Sequence, residues 1–377
     1  MIEKYFDWAS TSPMCQASLE AYCRYASEYP ANPSSTHSLG IKAHEALEAL
    51  RDRCAQALGA KSEHIYFTSG GTESDTIALS SLAMGLGEGK VFYSSSEHNA
   101  ITGLDGFFKR LKYTLCPVPF KKGEVDVQAL CSRIDSSTKL VSIMMVNNVT
   151  GTINDIQSIA KALRAASPRR LLIHTDAVQA AGKIPLDLES LDVDTAAFSA
   201  HKFQGPRGIG MLYNRNSDLV VINKAGGQER GVRGGTEALA SIAGMTAALE
   251  LATKDLEASW SHVASIRSYC MQKLKDNGFT IISKTEGDFS PYILCLAAPP
   301  VPSEVFLRVI GEKGYCISAG SACSSHVKSK TQGVLASLGY PPFITGSSLR
   351  LSFGPSTRME DAQALIEEMI RAKEALC

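Results

Sequence analysis

Nearly apolar strands alternating with amphipathic helices predict an α/β protein: a mostly parallel sheet in a large domain, followed by a smaller α+β domain. Three observations carry this. Residues 91–93, 140–146, 171–173 and 195–198 are apolar nearly throughout, as strands covered on both faces must be. Segments with helical three- and four-residue spacing separate them. Polar residues Thr72, His98, Asn148 and Asp176 follow such strands closely, and ligands in these sheets bind beyond the carboxyl ends.

In chain order, the Asn, Pro, Ser and Gly of residues 31–40 read as a loop. Ala43, Ala46, Leu47, Leu50, Cys54, Ala57 and Leu58 then mark a helix, with Gly59 as its stop. Residues 65–68 form a β-rich run that meets Gly70 and Gly71. The helix spacing resumes through Ile77, Leu79 and Leu82, so free N–H groups and a positive dipole end await an anion there. Next come a strand at 91–93, helical spacing through 104–111, a strand at 113–118, a helix at 126–135 and a strand at 140–146. Residues 171–175 lead to the acid Asp176. Residues 195–198 lead through a tight polar turn carrying Lys202 to a returning strand at 211–213. The glycine-rich stretch 225–236 opens long helices at 237–253 and 255–277. Strands at 279–282, 292–296 and 348–353 and helices at 303–313 and 359–375 complete the smaller layer. The expected organisation is an N-terminal segment at 1–15 packing with the small domain, a large domain at 16–255, and a small domain at 256–377.

Composition narrows the function classes. The 377 residues hold 38 Lys+Arg and 38 Asp+Glu, so no net charge points to nucleic acid or an anionic membrane. Hydrophobic residues make up 44%, ordinary for a globular protein, yet no apolar run approaches the roughly 20 residues of a membrane helix. The N-terminus shows no basic-then-apolar pattern of a secretory signal. The ten cysteines form no C-x-x-C pair, which argues against zinc and suits reduced thiols in the cytoplasm. No metal is expected.

Two residues point to the chemistry. A lysine at the end of a buried strand can become a Schiff-base nucleophile when desolvation and nearby charge depress its pKa. Pyridoxal phosphate needs such a lysine and an acid that keeps its ring nitrogen protonated; Lys202 and Asp176 meet that requirement. Arg350 lies inside an apolar strand, where an unpaired charge is costly. It needs an anionic partner, either a protein carboxylate or a substrate carboxylate. Cys323 sits among Gly320, Ser321, Ala322, Ser324 and Ser325, small residues that leave its backbone free to move.

With these residues assembled, the chain resembles the cysteine desulfurases, class V aminotransferase relatives within the fold-type I pyridoxal-phosphate enzymes. Asn-Pro-Ser-Ser-x-His, Thr-Ser-Gly-x-Thr-Glu-Ser, Glu-His-x-Ala, Val-Asn-Asn, Asp-Ala-x-Gln, Ser-x-His-Lys, Glu-Arg-Gly-x-Arg-x-Gly-Thr and Gly-Ser-Ala-Cys-Ser appear in the family's order over nearly the whole length. The resemblance implies a mostly parallel seven-stranded sheet and a homodimer with shared active sites. It implies that Lys202 forms the Schiff base with pyridoxal 5'-phosphate, Asp176 pairs with the ring nitrogen and His98 stacks on the ring. Gln179 and Asn148 would touch the phenolate oxygen. Gly71, Thr72, Ser199 and His201 would hold the phosphate, with Thr236 reaching in from the partner subunit. Asn32, Asn148 and Arg350 would bind the carboxylate of L-cysteine, and Cys323 would accept its sulfur as a persulfide. Loop length implies the longer-loop branch, which serves iron–sulfur cluster assembly and tRNA thiolation through an acceptor protein.

Three departures touch the resemblance: Val149 stands where the family has an acid, residues 327–332 are basic, and Gly354-Pro355-Ser356-Thr357 replaces a Gly-Arg-x-Thr turn. The alternatives are a class V aminotransferase or selenocysteine lyase with Cys323 incidental, and a non-catalytic sulfur-carrier or scaffold protein.

Overall fold

A computed structural model describes residues 4–94, 96–121, 123–215, 220, 226–284, 287–320 and 333–377. The large sheet holds β1 (Ile65–Thr68), β2 (Lys90–Tyr93), β3 (Thr114–Pro117), β4 (Thr138–Ser142), β5 (Leu172–Asp176), β6 (Thr195–Ser199) and β7 (Gly210–Asn214). Their spatial order is β1-β7-β6-β5-β4-β2-β3. Only β7 runs antiparallel to its neighbours, so the mostly parallel seven-stranded α/β sheet is as expected. Every residue of β5, β6 and β7 is buried, which explains why those runs lack polar alternation.

Helices cover both faces. α1 (Gln16–Glu28), α2 (Ser38–Ala57), α3 (Gly71–Leu86), α4 (Ile156–Ala166) and α5 (Leu239–Lys254) belong to this unit. Ala43, Leu47, Leu50 and Cys54 of α2 enter a continuous core with Phe67, Ile173, Phe198, Met211 and Leu249. α2 begins at Ser38, inside the stretch expected to be loop, because the His37 ring nitrogen accepts the Gly40 N–H and caps it. It ends at Ala57, and Gly59, just past the Leu58 cap, turns the chain with a φ of +60° that suits glycine.

Elsewhere periodicity overran the elements. The helix expected over 126–135 is only Val127–Cys131, capped by Asp126. The segment 104–111 holds only Asp105–Arg110, with Asn99–Thr102 a separate turn before Gly103. The strand expected over 140–146 stops pairing at Ser142. Ile143 and Met145 still donate to His174 and Asp176 carbonyls, but Met144 turns its N–H to Glu97.

The smaller sheet is antiparallel. It contains β8 (Thr280–Ile281), β9 (Ile293–Ala297), β10 (Ser318–Ala319) and β11 (Ser348–Ser352), in the order β8-β9-β11-β10. α6 (Leu256–Asp276), α7 (Ser303–Glu312) and α8 (Met359–Leu376) pack on it around Ile266, Leu294, Phe306, Leu351 and Leu365. Phe6 joins that core edge-on to Phe353. The neighbouring residues Tyr5 and Asp7 bridge to Cys316 and Ser352. The N-terminal segment therefore lies on the small sheet, and from there it reaches Lys202.

Candidate active site

Parallel strands that end at one edge place their next residues side by side. β6 ends at Ser199 and turns through His201 and Lys202, while β5 ends at Asp176, which pairs in register with Ala197. Lys202 Nζ donates to the carbonyls of Ala9 (2.7 Å) and Ser10 (2.6 Å). Asp176 is 4% exposed, and its Oδ1 accepts the Val178 N–H at 2.9 Å. Burial pushes this carboxyl up, while His98 and Lys202 pull it back down. The His98 Nδ1 accepts the Ala100 N–H, which fixes the ring at the start of its helical turn.

Beneath Asp176 lie two more buried acids: Glu97, the first residue of the Glu-His-x-Ala motif but given no role by it, and Asp75, which no quoted motif contains. Glu97 Oε1 accepts the Met144 N–H at 2.7 Å, and burial together with Asp176 raises its carboxyl to about 8. Asp75 is raised by burial and by the Asp176 and Glu97 charges. Its Oδ1 lies 3.1 Å from His174 Nε2, and the other ring nitrogen meets Thr195 Oγ1 at 2.9 Å. Burial lowers His174 to about 3, so the imidazole is neutral. Like charges this deep cannot all ionise. Burial and mutual repulsion push Asp75 and Glu97 toward the neutral form, and His98 and Lys202 favour the negative charge on Asp176. A sequence signal does exist: an acid on the apolar face of α3, and a histidine inside an apolar strand.

The phosphate end of the site is built from glycines. α3 has no side-chain cap at Gly70, so its first N–H groups remain available to an anion. A Cβ on Gly71 would stand 2.6 Å from Val178 Cγ2, and one on Gly70 3.5 Å from Ser199 Oγ. Gly210, paired with both Thr68 and Ser199, would drive a Cβ to 2.6 Å from Gly70 Cα and 2.4 Å from the Phe198 carbonyl. Gly210→Ala is therefore expected to cost about 1–3 kcal/mol through overpacking. It should also loosen cofactor retention, read by denaturant titration and by loss of visible absorbance on dialysis. Thr72 is exposed at this end. His201 Nδ1 lies 3.1 Å from Thr11 Oγ1; burial, Lys202 and Arg207 lower it to about 4.

Arg350 comes from β11. Its Nη2 donates to Asp7 Oδ1 (2.9 Å) and Ser10 Oγ (2.6 Å), and its Nη1 to the Asn148 carbonyl (2.9 Å). Asp7 is thus an anionic partner within the protein. Arg350 Nε is buried with no hydrogen-bond partner among the described residues, a donor that suits a small carboxylate. The Gln179 Nε2 donates to the Ala9 carbonyl at 2.9 Å.

Among the described residues, no contact brings Asn32 or Thr236 to Lys202. Both are exposed, and Asn32 Oδ1 accepts the Ser34 N–H. Their neighbours Pro33–Thr36 and Gly226–Arg230 face each other across a cleft of about 810 Å³. Cys323 and the basic segment 327–332 lie outside the described residues, which resume at residue 333. Backbone carbonyls of Ala9 and Ser10 also belong to the site, and no residue-type signal could have announced them.

The described residues fit pyridoxal phosphate: an amine on Lys202, a buried acid in Asp176, an uncapped helix N-terminus bounded by glycines, and an orphaned guanidinium N–H for the substrate.

The Aminotransferase class-V family model matches residues 4–365. A NifS/IcsS protein homolog from Lactobacillus delbrueckii subsp. bulgaricus is 38% identical, over 96% of this chain and 95% of its own length. The cysteine desulfurase IscS of Dictyoglomus turgidum is 34% identical, over 99% of this chain and 95% of its own length. Among solved structures, a NifS-like protein superposes with a TM-score of 0.92 at 30% identity, covering 100% of this chain and 99% of that one.

Proposed function

The chain belongs to the class-V aminotransferase family, alongside the NifS- and IscS-type cysteine desulfurases, and from that premise we propose that it is a pyridoxal-phosphate cysteine desulfurase. It converts L-cysteine to L-alanine and takes the sulfur onto Cys323 as a persulfide. The observation that carries this reading is the meeting of Lys202, Asp176 and the glycine-fronted N-terminus of α3 at one edge of the sheet.

When bound, the cofactor supplies an electron sink for the pair left on the substrate's α-carbon. Asp176 is the acid that supplies the negative charge the sink requires, favoured by His98 and Lys202 while burial pushes Asp75 and Glu97 toward the neutral form. Gly71, Thr72, Ser199 and His201 receive the phosphate. Arg350 orients the substrate carboxylate, and Lys202 Nζ, drawn off the Ala9 and Ser10 carbonyls, takes the α-proton. The Cys323 thiolate attacks the substrate sulfur: an S–S bond forms and the Cβ–S bond breaks. Its electron pair stays on Cβ, which takes up a proton, and the α-carbon regains a proton from Lys202 to give alanine.

This reading includes a homodimer, because Asn32 and Thr236 stand exposed on a single chain although both belong to the family's site pattern. It also includes an acceptor protein, an iron–sulfur scaffold or a thiolation enzyme, and a cytoplasmic location. Among the described residues, no helix is long and apolar enough to cross a membrane.

The test is product analysis with L-cysteine and a thiol reductant. Alanine and sulfide should appear in equal amounts. Transamination between amino acids and keto acids without sulfide would favour the aminotransferase reading. Turnover restricted to selenocysteine would favour the lyase. A purified protein that stays colourless after incubation with pyridoxal phosphate would sink all three enzymatic readings.

A further inference from the structure

Lys183 belongs to none of the roles above, yet it is almost fully enclosed at 6% exposure. It follows Gly182, whose φ of +68° brings the chain round against Ala252. Its Nζ donates to Gln179 Oε1 at 2.7 Å and lies 5.9 Å from the centre of the Tyr292 ring. The other end of the same carboxamide, Gln179 Nε2, donates to the Ala9 carbonyl. That carbonyl also accepts from Lys202 Nζ. Lys183 and Lys202 further share the wall of one cavity of about 210 Å³, with Trp8, Tyr292 and Ser356.

A carboxamide has one accepting end and one donating end, nearly identical in shape. Nothing in its volume decides which end faces a site; only its partners do. As an ammonium, Lys183 offers Oε1 donors and no acceptor, and the Ala9 carbonyl at the other end can only accept, so the two together set Nε2 toward Ala9 and Lys202. Its hydrogen bond goes to a neutral amide. Burial lowers its amine to about 7, and the charges of Lys202 and Arg350 push the same way. That repulsion is mutual, so Lys183 also opposes a proton on Lys202.

We propose that Lys183 is a positioning residue for the Schiff-base lysine: it locks the Gln179 carboxamide with Nε2 toward the site and sets the electrostatic potential at Lys202 Nζ. The proposal rests on the pyridoxal-phosphate reading of the site.

The test is a pH titration of the visible absorbance of the cofactor-loaded enzyme, in wild type, Lys183→Met, Lys183→Gln and Lys183→Arg. Removing the cation leaves a more negative site, and in the Met variant the Gln179 carboxamide also loses the donor that anchors its Oε1. The midpoint should rise by at least about 0.5 pH unit in both neutral variants. Lys183→Arg keeps the donor and the charge and has the adjoining cavity for its bulk, so its midpoint should stay near wild type. Lys183→Gln, polar and close in size, supplies the measurement if Lys183→Met fails to fold. An unmoved midpoint in a folded, coloured neutral variant overturns the proposal. So does an equal shift in the Arg variant, which would assign the effect to packing alone. A wild type with no visible band is a different failure: it removes the cofactor reading and this inference with it.

Discussion

A Cys323→Ala enzyme is expected to lose alanine and sulfide formation from L-cysteine by a factor on the order of 10³ or more, while keeping the cofactor's visible absorbance. The reason is chemical. Breaking the Cβ–S bond toward carbon requires a nucleophile to take the sulfur, and neither Lys202 nor His98 forms a stable product with it. The described residues before Cys323 run beside the site's arginine. β10 pairs Ser318 with Arg350, and Gly320 donates its N–H to the Ser348 carbonyl. Cys323 is three residues further in sequence, a tether of at most about 11 Å. A Cβ on Gly320 would stand 2.7 Å from Ser348 Oγ, so the chain leaves the sheet in close contact with β11. Cys323→Ser should be as inactive as the alanine variant, since a hydroxyl forms no persulfide. Full alanine production by Cys323→Ala, measured by amino-acid analysis over a single turnover, would eliminate the persulfide step on Cys323 and leave standing the lyase reading, in which that cysteine is incidental.

Much of this site is legible in the amino-acid sequence, for a physical reason. Strands buried on both faces must be apolar throughout, so β5 and β6 stand out, and the polar residues that close them have few places to go but the ligand crevice. Asp176 and Lys202 follow from that logic. The structure leaves Arg350 with Asp7 as one partner and an orphaned Nε beside it, so a protein carboxylate and a substrate carboxylate both bear on its counter-charge. Long-range contacts between side chains and backbone are invisible to local patterns. That the Ala9 and Ser10 carbonyls hold Lys202, 193 and 192 residues away, depends on the N-terminal segment docking on the small sheet, which no short stretch encodes. Helix and strand lengths fail where a single hydrogen bond outweighs periodicity, as at Met144, whose N–H leaves the strand direction for Glu97.

The glycine-rich loop poses a related problem, because Glu229 and Arg230 both adopt positive φ, +46° and +55°, without being glycine. Each costs roughly 1–2 kcal/mol, so something must hold them. Glu229 is the holder. It is 4% exposed and accepts from Arg51 Nη1 (2.7 Å), Arg51 Nη2 (3.0 Å) and the Phe67 N–H of β1 (2.7 Å). Arg51 also stacks over the Phe67 ring at 4.6 Å and donates to the Ile65 carbonyl. Its remaining acid, Glu48, is partly open to water at 39% side-chain exposure, so it cannot replace Glu229 in the interior. Glu229→Ala should therefore destabilise the protein by about 3–5 kcal/mol, the cost of stranding one member of a buried ion pair. The orphaned Phe67 N–H belongs to that loss. Adding Arg51→Met should recover part of it, because the stranded charge is gone, but not all, because the Phe67 N–H stays unpaired. Denaturant midpoints for the two single variants and the double would decide. If Glu229→Ala cost under about 1 kcal/mol, or if Arg51→Met and Glu229→Ala added without coupling, the loop would owe its shape to something other than this pair.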